Sequence, residues 1–144
     1  MTTVLDAFAV IAALAGEAAA TEVEVELRKG DSCISAINLA EVVDQLIRQA
    51  RRSQDEVDNS LASLVAGGLD VAPADESIGR LAGGLRARRY DRRTAAISLA
   101  DCVAVATCVL MGATLATADR PLAVVARKEG VRVLGLPGST GKRP

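Results

Sequence analysis

The sequence predicts an α/β fold: one domain, with a mostly parallel sheet of about five short strands and helices on both faces. Two observations carry this. Short apolar, partly β-branched runs alternate with Ala-rich or amphipathic segments of helical length, the pattern that closes into a parallel sheet through helical crossovers. The 144 residues contain no internal repeat and no linker, and a chain of that length is served by one core. The domain is assigned to residues 1–137, and GSTGKRP, residues 138–144, to a flexible tail.

Taken in order, TTVLD reads as a strand ending at Asp6, and AFAVIAALAG as a helix stopped by Gly16. Residues 18–29 alternate Val and Glu, but their Ala-rich entry and flanking charges favour a helix. SCISAI is a buried strand. NLAEVVDQLIRQARR follows as a helix with Leu39, Val42, Val43, Leu46 and Ile47 on one face. A second amphipathic helix starts at Ser53 and ends at Gly67-Gly68, LDVAP is a strand broken by Pro73, and DESIGRLAGGLRARRY is a helix weakened by its glycines. Residues 86–96 are polar and basic and are expected to form a surface loop. A helix over 99–110 stops at Gly112, ATLAT is a strand, DRPLAVVARKEG is a helix with Pro121 in its first turn, and VRVLGLP is the last strand.

Composition narrows the chemistry. Histidine is absent, which removes Ser-His-Asp and Cys-His catalysis, histidine acid-base cleavage of RNA and the usual zinc hydrolase sites. Hydrolysis by this chain must therefore rest on carboxylates, and so on a hard metal ion. Cys33, Cys102 and Cys108 form no CxxC and sit in apolar surroundings, as small buried residues do in a reducing compartment. No basic residue precedes the first apolar segment and no apolar run is long enough to span a bilayer, so the protein is expected in the cytoplasm and away from membranes. The net charge of −1 hides a run of Arg86, Arg88, Arg89, Arg92 and Arg93, a solvated face or a phosphate-binding one.

Four acids occupy comparable places. Asp6, Glu41 and Asp119 each follow a strand-like run, and Asp101 lies in the first turn of the helix that leads into ATLAT. Taken singly each has an ordinary explanation: Ser98-x-x-Asp101 and Asn38-x-x-Glu41 have capping-box spacing, and Asp6 and Asp119 suit N-caps. Topology changes the balance, because in a parallel sheet the carboxyl ends of the strands and the following helix starts share one edge, where ligands bind. Two carboxylates about 4 Å apart repel by about 4 kcal/mol at an effective dielectric near 20, so such a cluster calls for protons, arginines or a divalent cation. Oxygen-only ligands favour Mg²⁺, with Mn²⁺ as a substitute, and a cation that keeps several waters suits phosphodiester hydrolysis.

VLDAFAVIAAL, SAINLAEVVDQL and SLADCVAVATCVLMGATLATADRPLAVVARKEGVRVL, in this order, resemble the PIN-domain ribonucleases, most of all the VapC toxins of toxin–antitoxin pairs. The resemblance spans about residues 3 to 137. It implies that Asp6, Glu41, Asp101 and Asp119 form an acidic Mg²⁺ site supported by the Thr117 hydroxyl. It also implies an RNA substrate such as tRNA or ribosomal RNA, a homodimer, and a small cognate antitoxin that covers the site. Phe8 departs from the family, standing where many relatives carry a small hydroxyl residue. With Phe8 and Tyr90 the sole aromatics, base stacking is expected to contribute little, and the Arg86–Arg93 run to contact backbone phosphates. A receiver domain or haloacid-dehalogenase-type phosphatase fits less well, since Asp6 is followed by Ala7 and Phe8 and not by a second acid. A catalytically silent PIN-like binding module is the rival of a different class.

Overall fold

A computed structural model describes all 144 residues. Five strands, β1 (Thr3–Leu5), β2 (Ser32–Ser35), β3 (Leu69–Ala72), β4 (Thr114–Thr117) and β5 (Arg132–Gly135), form one wholly parallel sheet in the order β3-β2-β1-β4-β5. The chain winds outward from β1 in both directions. Helices α1 (Ala7–Ala15) and α2 (Ala20–Arg28) lead from β1 to β2, and α3 (Ala36–Arg48) with α4 (Gln54–Ala66) lead on to β3. Helices α5 (Glu76–Arg89) and α6 (Leu99–Met111) cross to β4, and α7 (Arg120–Lys128) reaches β5. The alternation read from sequence is thus the architecture observed, including the helix over the Val-Glu stretch.

Strand alternation splits the core in two. Val4, Cys33 and Leu115 face one side and pack with α5, α6 and α7, whereas Leu5, Ile34 and Ala116 face the other and pack with α1, α2, α3 and α4. Burial on both faces explains why the strands read as continuous apolar runs. Gly16 and Gly112 end α1 and α6 in the left-handed region, at φ 66° and 64°, as their positions in the sequence require. At the carboxyl end of the chain, Arg143 reaches back to Glu22 at 2.6 Å and donates to the Gly135 carbonyl. No helix is long and apolar enough to cross a membrane.

Two local readings change. The expected loop over 86–96 starts later: α5 continues through Arg89 despite three glycines, because Asp75 caps it and Ile78, Ala82 and Leu85 are buried on one stripe. The N-cap of α3 is Ser35, which accepts from the Asn38 amide at 3.0 Å, so Asn38 lies inside the helix and Glu41 is no capping-box acid. β2 ends at Ser35 and the chain turns into helix there, three residues before the position that the Asn38 spacing suggested.

Candidate active site

The strand order reverses between β1 and β4, the point at which a doubly wound sheet opens a crevice at its carboxyl edge. Asp6 follows β1 and caps α1, its Oδ1 accepting from the Ala9 amide at 2.8 Å. Asp119 stands just beyond β4 and caps α7 through the Leu122 amide, also at 2.8 Å. Neighbouring parallel strands that each end in an N-cap aspartate must bring those aspartates to one edge.

Asp101 and Glu41 arrive on helices. The α6 start closes a full capping box: Ser98 Oγ accepts from the Asp101 amide at 3.0 Å, and Asp101 Oδ2 accepts from the Ser98 amide at 2.7 Å. Fully buried Asn38 then ties α3 to α6, donating from Nδ2 to the Ala100 carbonyl at 3.2 Å. That bond sets Glu41, one turn further along α3, opposite Asp101. Asn38, whose spacing to Glu41 suggests a cap, joins two helices instead; the Ser35-x-x-Asn38 spacing directly after a strand is the sequence sign of it.

Asp6, Glu41, Asp101 and Asp119 line one cavity of about 470 Å³, together with Phe8, Ile11, Glu17, Gln45, Gln49 and Ser98. None of the four acids has an arginine or lysine partner; the ion pairs of the molecule lie elsewhere. Burial pushes the Asp6 carboxyl up to about 7, against hydrogen bonding from Thr117 and the Ala9 amide, and Asp101 and Asp119 push the same way. Burial likewise raises Asp101, offset by its bonds with Ser98, and raises Glu41, where the Asp101 charge adds to it. Thr117 is buried below them, and its Oγ1 accepts from the Asp119 amide at 3.0 Å.

The donor set fits a hard cation. Each aspartate commits one oxygen to a helix-start amide and keeps the other free of the backbone. No three of the side chains form a ready-made ion cage. A cation of the Mg²⁺ type needs none, since it binds through one or two carboxylates and retains several waters.

The basic run divides. Arg86 Nε donates to the Ile97 carbonyl at 2.7 Å and its guanidinium lies 4.0 Å from the Tyr90 ring centroid. Arg89 pairs with Glu129 at 2.7 Å and Arg88 approaches it at 3.7 Å. Arg92 and Arg93 have no ion-pair partner and directly follow Asp91 in the loop after α5. None of the five lines the acidic cavity.

A doubly wound parallel sheet with carboxylates gathered at its switch point, and no histidine in the chain, defines an α/β protein with an acid-lined crevice. The chain belongs to the PIN domain family, whose profile matches residues 3–128. No curated protein matches the sequence. Solved structures with the same fold include VapBC2 from Rickettsia felis bound to a DNA fragment from its promoter, at TM-score 0.70 and 17% identity, covering 93% of this chain and 98% of that one. FitAcB from Neisseria gonorrhoeae superposes at TM-score 0.64 and 23% identity, covering 92% and 96%. VapC20 from Mycobacterium tuberculosis, a sarcin-ricin loop cleaving toxin, superposes at 0.66 and 16%, covering 85% and 94%. At these identities the likeness is one of fold.

Proposed function

We propose that the protein is a Mg²⁺-dependent endoribonuclease, with Mn²⁺ a possible substitute, acting as the toxin of a toxin–antitoxin pair. The observation that carries the reading is the meeting of Asp6, Glu41, Asp101 and Asp119 in one cavity without a counter-cation, on a PIN-domain fold. Asp6, Asp101 and Asp119, each with one oxygen not committed to a helix-start amide, would hold the ion, with Glu41 beside them. When bound, the ion supplies Lewis-acid activation of water and phosphate. Glu41, half-exposed and in the second turn of α3, orients the attacking water toward phosphorus and takes its proton as the bond forms. Water oxygen bonds to phosphorus, one P–O ester bond breaks, and the departing oxygen takes up a proton. Thr117 fixes the Asp119 backbone beneath the site.

The RNA substrate, the homodimer and the small antitoxin are carried over from the resemblance; the structural neighbours, which include a toxin–antitoxin complex from Klebsiella pneumoniae and a sarcin-ricin loop cleaving toxin, support the first and the last. Of the basic run, the unpaired Arg92 and Arg93 are the foremost candidates for RNA phosphates, while Arg86, Arg88 and Arg89 already have partners in the fold.

Purified protein is expected to cut a restricted set of RNAs with Mg²⁺ or Mn²⁺ and to stop in excess EDTA. Asp6→Asn and Asp101→Asn each lower the rate at least a hundredfold with the fold intact by circular dichroism. Undiminished cutting in EDTA contradicts the metal mechanism. Expression of the chain alone arrests growth under the toxin reading; harmless accumulation of folded, active protein contradicts it.

A further inference from the structure

The acidic cavity extends beyond the four carboxylates. α1 and α3 both start at the carboxyl edge of the sheet and run side by side away from it, and the cavity follows the seam between them. Glu41 and Gln45 on α3, and Gln49 at its C-cap, recur every four residues along the side that lines it, a span of about 12 Å at about 1.5 Å per residue. Phe8 and Ile11, three residues apart on α1, form the other wall, and Glu17 stands at its far end just past the Gly16 cap.

We infer that this seam is a nucleobase subsite for the nucleotide beside the scissile phosphate, with the base against the Phe8 ring and its edge read by the Gln45 and Gln49 carboxamides. The inference rests on the ribonuclease reading and names how such an enzyme would choose its cut. Charge decides which part of a nucleotide enters. No lysine or arginine lines the seam, and Glu17 closes it with a negative charge, so a second backbone phosphate is repelled whereas a neutral base is not. Chemistry decides what holds the base. With two aromatic residues in the chain, stacking along the strand contributes little, but Phe8 is half-exposed on the cavity wall and offers its ring to the one base that enters there. A carboxamide offers both a donor and an acceptor to a base edge. Gln45 Nε2 lies 3.4 Å from Glu41 Oε1, which leans the carboxamide toward the catalytic end. The volume, about 470 Å³, lies within the roughly 300–1,000 Å³ of small-molecule pockets.

The test uses the full chain and an RNA library randomised in sequence, with the cut ends sequenced. Wild-type protein is expected to favour one base next to the cut, and Gln45→Ala/Gln49→Ala to reduce that preference about tenfold. Phe8→Leu, which keeps an apolar side chain on α1, lowers the yield from every sequence. In a second measurement, short labelled RNAs that differ only at that base bind Asp101→Asn protein with unequal affinity, and the two Gln→Ala changes level the affinities. No base preference in the wild type, or the same preference and affinities after the glutamine changes, overturns the subsite. If the glutamine changes alter only inhibition by a basic protein partner, the seam is a protein-docking groove and the inference is wrong. Absence of any RNA cutting by the wild type sinks the ribonuclease reading instead, and the affinity comparison still decides the subsite.

Discussion

Asp6 combines two demands that are ordinarily separate. It caps α1, a role any exposed aspartate can fill, and it does so at 4% exposure in the middle of an acid cluster. The folded, metal-free chain therefore keeps a proton on Asp6 up to pH about 7, whereas the unfolded chain releases it near 3.8. More protons are bound by the folded state across that interval, so this residue's contribution to stability is fullest below it and is lost as pH rises through about 7. Asp6→Asn keeps the capping oxygen and removes the charge. Its melting temperature without metal is expected to match wild type near pH 4 and to exceed it at pH 8 by roughly 6–12 °C, on the order of 3 kcal/mol. A difference between the two proteins that is flat from pH 4 to 8 contradicts the assignment. The sequence showed Asp6 as cap and as candidate ligand alike; its depth, which makes the second role expensive without a cation, depends on β4 pairing beside β1 and was not readable from neighbours in the chain.

At the scale of elements, the start of α6 matters most. Ser98 and Asp101 lock each other, and the residue just before them, Ile97, gives its carbonyl to Arg86. α5 thus holds the angle at which α6 enters the site, through a guanidinium stacked on Tyr90. Arg86→Ala is expected to cost about 1–2 kcal/mol of stability, by removal of a charge-assisted hydrogen bond, and to lower kcat more than it raises KM. Arg86→Lys restores less than half of the loss, because an ammonium cannot keep both contacts in one plane. A change in KM alone makes Arg86 a substrate contact. The capping box was plain in the sequence as Ser98-x-x-Asp101, and the arginine run was plain as charge. What the run does was hidden: Arg86 folds inward to a carbonyl eleven residues away, and Arg89 to Glu129, forty residues away. Local signals mark the ends of elements well, as at Gly16, Ser53 and Gly112, but Asn38 shows their limit, since its partner is Ala100 on another helix.

For the whole molecule, the parallel topology gathers acids from separate helices into one cavity. Alternation of strand and helix was enough to expect a shared edge, and the observed order β3-β2-β1-β4-β5 puts the reversal where Asp6 and Asp119 stand. Which further residues join the cavity, Gln45, Gln49 and Glu17 among them, follows from how α1 lies along α3 and had no signature in the chain. The net charge of −1 also conceals a division of the surface, acids in the cavity and unpaired arginines at the loop after α5. RNA affinity of the proposed enzyme is therefore expected to fall with salt, and Arg92→Ala/Arg93→Ala to reduce the slope of log affinity against log salt by about 1–2. An unchanged slope returns that loop to the status of a solvated surface.

The central claim is that four carboxylates from different elements act as one cation site, and Mn²⁺ binding tests it without reference to any substrate. Titration of the full chain by calorimetry, with paramagnetic resonance of free Mn²⁺ as a second readout, is expected to give saturable binding. Asp6→Asn, Asp101→Asn and Asp119→Asn each weaken it at least tenfold, and Glu41→Gln weakens it less. Mn²⁺ binding that is absent in the wild type, or equally strong in all four variants, contradicts the account.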